Sequence, residues 1–114
     1  MRLQTDYVLR LIEELRAVIR GALEKLGLDE PEQPGELAGH AIGLALSMDP
    51  ALASGLSPES LVALLELTEV DERVVALVKQ ALEIEAAALE QHGHRSGARF
   101  RYEQAAAIGS LLGD

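Results

Sequence analysis

The sequence predicts an all-α protein: about five helices in an antiparallel bundle, with no strand and one contiguous core. Three observations predict it. The apolar 48% of the 114 residues is mostly Leu, Ala, Val and Ile, with only Tyr7, Phe100 and Tyr102 as aromatics; Ala and Leu are the strongest helix formers. Apolar residues recur three and four apart along most of the chain, the period of a helix that buries one face. Helix-start signals precede several of these runs, at Thr5, Ser57 and Thr68,.

The first helix is predicted over residues 5–26. Thr5 is placed to cap it, and Asp6 lies in its first turn, where negative charge meets the positive end of the macrodipole,. Its apolar stripe is Val8, Leu11, Ile12, Leu15, Val18, Ile19, Ala22, Leu23 and Leu26. Gly27 followed by Leu28 fits a left-handed cap with an apolar clasp,. Residues 27–35 then read as an acidic linker, in which Pro31, Pro34 and Gly35 stop any helix,.

The helical body follows over 36–114. Its first helix, 36–48, sets Leu37, His40, Ala41, Leu44, Ala45 and Met48 on one face, with Gly39 and Gly43 beside them permitting close helix approach. Asp49-Pro50 ends it or starts a short turn. Ser57-Pro58-Glu59 opens a short apolar helix over 58–67,. Thr68 to Asp71 resembles a capping box leading into a helix over 71–91, which Gly93 closes,. The last helix runs over 96–112. The whole is one helical domain, 1–114, the usual size of one,.

Composition excludes several function classes. With no cysteine, disulfides, thiolate metal sites and cysteine nucleophiles are ruled out,. No segment approaches the roughly 20 apolar residues that span a bilayer, and the N-terminus lacks the unbroken apolar run of a signal peptide, so the expected location is cytoplasmic. A formal net charge of −9 argues against nucleic acid and anionic membrane as partners. A helix-turn-helix over 58–67 and 71–91 would put Asp71 and Glu72 toward phosphates,. No Ser-His-Asp order, glycine-rich phosphate loop or helix-borne metal motif is present, and no cofactor is expected.

Three features carry chemistry. His92 and His94 flank Gly93 and, with Glu90 or Glu103, are the candidates for a metal site,. Arg95, Arg99 and Arg101 cluster near Phe100 and Tyr102 and suit an acidic segment or a phosphate, or else pair with Glu83, Glu85, Glu90 or an acidic neighbouring chain,. The first helix offers Val8, Leu11, Ile12, Leu15, Val18 and Ile19, with Tyr7 and Leu9 off the stripe. Covering two faces of that helix calls for a second chain, most simply in a two-fold homodimer. The pairs Glu13-Glu14 and Glu83-Glu85 are read as solvated charge.

Residues Lys79 to Ser110 resemble one tetratricopeptide repeat, a pair of antiparallel helices. The matching residues are Leu82, Ala86, Leu89, Gly93, Ala98, Tyr102 and Ala105; Glu85 stands at a usually apolar position and Ser110 at a usual proline. The stretches DYVLRLIEEL and LSPESLVALL, with this pair, give the chain a resemblance to a family of small bacterial helical proteins of unknown function. That resemblance implies a fold and no activity. The reading is a non-enzymatic helical interaction module, self-associating and open to a protein partner. The alternative is a small metal-binding protein or enzyme centred on His92 and His94.

Overall fold

The computed structural model describes residues 2–27 and 36–113. Among them six helices follow in order: α1 (Arg2–Gly27), α2 (Glu36–Leu46), α3 (Pro50–Ser54), α4 (Pro58–Leu67), α5 (Glu72–Gln91) and α6 (Arg95–Leu111). The fold is an all-helical bundle, with no strand among the described residues. None of the described helices is long and apolar enough to cross a membrane. The expected linker beyond Gly27 and the Gly27-Leu28 cap lie outside the described residues.

The sixth helix is α3, one turn and a half where a turn was expected. It uses the same start signal as α4. Asp49 accepts the Ala51 N–H at 2.8 Å, with Pro50 in the first turn; Ser57 accepts the Ser60 N–H at 3.1 Å, with Pro58 in the first turn. Two expected caps are moved. Arg2, Leu3 and Gln4 already belong to α1, so Thr5 lies inside the helix. Thr68 ends α4, and Asp71 caps α5, its carboxylate accepting from Arg73 N–H at 2.9 Å. Side-chain hydrogen bonds from Arg73 hold Asp71 below the usual carboxylate range.

The ends of α2, α4 and α5 follow one pattern. Met48, Val70 and His94 donate their N–H groups to Gly43, Leu65 and Leu89, around residues of positive φ at Ser47, Glu69 and Gly93. This is the Schellman closure. Met48 and Val70 then pack on the core just beyond it.

α5 is the central helix, packed against α1, α2 and α6; α2 also meets α1 and α3, and α4 lies on α6. Gly97 beside Leu89 and Gly109 beside Lys79 show α5 and α6 to be antiparallel. The interior forms two adjoining clusters instead of one. In the first, Ile42, Leu61, Leu65, Val78, Leu82 and Ile108 meet; in the second, Leu11, Ile12, Leu15 and Ile19 pack on Ala41, Val74 and Ala81. Ala45 and Val70 touch both. The buried face of α2 runs through Ala38, Ala41 and Ile42, which turns His40 out to solvent.

Gly39 and Gly43 do permit a close approach, and the neighbour is α3 with its leading turn. A Cβ on Gly39 would lie 2.7 Å from the Pro50 carbonyl oxygen; one on Gly43 would lie 2.9 Å from that of Met48.

Candidate functional site

Of the α1 residues expected at an interface, Leu11, Ile12, Leu15 and Ile19 are buried in the second cluster, while Val8 and Val18 are half-buried. The stripe is covered by α2 and α5 of the same chain. It is therefore core and not a free surface, because two helices supply enough apolar side chains to cover it. What α1 leaves exposed lies beside the stripe: Tyr7, Leu9 and Leu23, each about half accessible. An open groove runs between the first half of α1 and the end of α2, with Leu11, Gly43 and Leu44 along it and Tyr7, Arg10 and Glu14 at its α1 edge.

The arginine cluster divides. Arg95 and Arg99 are exposed, but Arg101 is buried. The pairing expected as one option for these arginines is realised there: Arg101 Nε donates to Glu85 Oε2 in a salt bridge. One Arg101 terminal nitrogen donates to the Ser54 carbonyl at 2.6 Å and to Gln104 Oε1 at 2.8 Å. Gln104 Nε2 donates to the Leu56 carbonyl at 2.8 Å, and Glu85 Oε1 accepts the Ala38 N–H at 2.8 Å. The Phe100 ring centroid is 5.4 Å from the guanidinium carbon.

The placement follows helix electrostatics. Glu85 meets the first turn of α2, where N–H groups lack intrahelical acceptors; Arg101 meets the last residue of α3, where carbonyls lack donors. No buried side-chain nitrogen or oxygen among the described residues lacks a partner. The network is thus fully satisfied and turned inward, a clasp between the α5–α6 pair and the α2–α3 pair. Glu85, read as solvated charge, is in fact only 3% accessible. The missed signal was its phase: Glu85 falls between Leu82 and Leu89 on the apolar face of α5, as Arg101 falls between Ala98 and Ala105 on α6.

The histidine turn is exposed. His92 ends α5 with its Nδ1 2.9 Å from the Ala88 carbonyl, and His94 precedes α6 without capping it. Glu90, a possible third ligand, accepts a hydrogen bond from the Tyr102 hydroxyl at 2.6 Å. That bond, reinforced by the negative charges of Glu90 and Glu83, pushes the Tyr102 phenol up from its usual range. No three His, Asp or Glu side chains among the described residues are grouped to hold a metal ion.

No protein-family model, curated protein or solved structure matches the chain.

Proposed function

We propose that the chain is a non-enzymatic helical protein–protein interaction module that self-associates as a homodimer, with α1 in the shared surface. One observation carries the reading. α1 is docked on one side only, and its uncovered sides bear Tyr7, Leu9 and Leu23 at about half exposure, Tyr7 at the edge of the open groove along α2. Tyr7 adjoins Leu11 and Leu44 there, and apolar side chains gathered at a groove mark a contact surface more often than scattered ones do. The inward turn of the Glu85–Arg101–Gln104 network agrees with this reading, since those groups act on the chain's own helix ends. The α5–α6 pair, similar to a single tetratricopeptide repeat, serves as the support on which α1 and α2 are carried; one such pair does not build the concave groove of a long array.

Sedimentation equilibrium on the full chain tests it. Association at micromolar concentration to twice the chain mass is expected, weakened by Tyr7→Ser with helical content unchanged. A monomer throughout the micromolar range would overturn the reading.

A further inference from the structure

The geometry points to a second copy of this chain as the occupant of the α1 groove, lying antiparallel in one register. This rests on the self-association reading above and specifies its geometry.

α1 carries two seams. The first is the core stripe. The second is Tyr7, Arg10, Glu14, Ala17 and Gly21, spaced three, four, three and four residues apart, the spacing of a seam that meets another helix along its length. The two seams lie on different sides of the helix. In the second, Tyr7, Arg10, Glu14 and Ala17 are exposed, and a Cβ on Gly21 would have nothing within 4 Å. Among the described residues, neither Arg10 nor Glu14 belongs to an ion pair.

The seam is complementary to itself in only one orientation. Two parallel copies in register would set Arg10 against Arg10 and Glu14 against Glu14, which is repulsive at both places. Antiparallel copies related by a two-fold axis set Arg10 of each opposite Glu14 of the other, so one attraction is made twice. The same register sets the Tyr7 ring opposite Ala17 of the second copy, a large side chain facing a small one. Tyr7, Arg10 and Glu14 edge the groove whose other residues include Leu11 and Leu44; the incoming helix therefore meets apolar side chains beside the charge pairs. Polar residues within an otherwise small and apolar seam select register and orientation more than they add affinity. The net charge of −9 per chain opposes pairing, but repulsion between exposed charges is largely screened beyond about 8 Å at physiological salt.

Charge exchange tests the register. Arg10→Glu, Glu14→Arg and the double variant Arg10→Glu/Glu14→Arg are compared with the unmodified chain by sedimentation equilibrium, with circular dichroism checking that each remains helical. Each single reversal brings like charges together at two symmetric places and is expected to weaken dimerisation roughly tenfold or more. The double variant re-forms both attractions and is expected to return to within about threefold of the starting affinity. A second measurement uses the absence of native cysteine. Tyr7→Cys/Ala17→Cys should form a disulfide-linked dimer under mild oxidation, since the register brings the two positions together, and Tyr7→Cys alone should not. A dimer indifferent to the single reversals, a double variant weaker than either single, or cross-linking by Tyr7→Cys alone would overturn this geometry and leave self-association standing. An unmodified chain that stays monomeric would remove both.

Discussion

At the scale of single residues, Arg101 has the most demanding position in the molecule. Its guanidinium serves Glu85, Ser54 and Gln104 together, from two nitrogens of a planar fork, a spread of donors that the single nitrogen of an ammonium lacks. Removing it leaves the Glu85 carboxylate buried beside a single backbone donor, Ala38 N–H. Breaking one side of a buried ion pair costs about 3–5 kcal/mol. Arg101→Ala is therefore expected to lower unfolding stability by about that amount in urea titrations, and Arg101→Lys to recover only part of it. The double variant Glu85→Leu/Arg101→Leu should lose less than Arg101→Ala, because no uncompensated charge is then buried. An Arg101→Ala variant as stable as the unmodified chain would show that the clasp contributes nothing. Glu85 was visible beforehand as an acid at an apolar position of the repeat-like pattern. Pairing with Arg101 was one option among several arginines and glutamates, because Arg101 also fits an exposed cluster with Arg95 and Arg99 when only adjacency in sequence is considered.

At the scale of elements, the bounds of the five longer helices were legible to within a few residues, and the shortest helix was not. The Ser57-Pro58 signal opens α4 as expected, and Asp49-Pro50 is the same signal opening α3. α3 went unread because five residues are too few to display helical periodicity. Gly39 and Gly43 show the limit differently: their spacing announced a close approach without naming the neighbour. Gly39→Ala gains helix propensity, about 1 kcal/mol, but its Cβ would collide with the Pro50 carbonyl oxygen and crowd Ser54. Forced shifts in packed structure cost typically 1–3 kcal/mol, so a net fall in Tm is expected. Glu69→Gly provides the opposite case. Glu69 holds a φ of 51°, a left-handed conformation costing roughly 1–2 kcal/mol for a residue with a Cβ; its replacement by glycine should raise Tm. Thermal scans followed by circular dichroism check both signs, and a rise for Gly39→Ala would mean that α3 yields easily.

At the scale of the whole molecule, α5 joins the two clusters. Val75, Val78 and Leu82 belong to one, while Val74 and Ala81 belong to the other. α1 enters only the second cluster and lies on the outside of the bundle. Amide exchange followed by mass spectrometry is expected to be slowest in α5 between Val74 and Leu82, where opening requires both clusters to separate, and faster in α1. Exchange slower in α1 than in α5 would place the most stable unit elsewhere. The proposed dimer would act on this order too: its seam should slow exchange around Tyr7 to Ala17 as protein concentration rises.

The sequence by itself determined the all-helical class, five of the six helices and most of the core, because helical periodicity, propensity and capping are local properties written within a few residues of one another. It also showed that α1 has more than one face to account for. Only the tertiary structure decided which face is covered from within, since the packing of Leu11, Ile12, Leu15 and Ile19 on Ala41, Val74 and Ala81 joins residues far apart in the chain. The same is true of the clasp. Whether a glutamate on an apolar face is a defect, an exposed charge or a helix cap depends on what approaches it, and for Glu85 the approaching groups are Ala38 and Arg101, 47 residues before it and 16 after it. Local chemistry sets what each helix can bury; distant contacts set what each buried or exposed group meets.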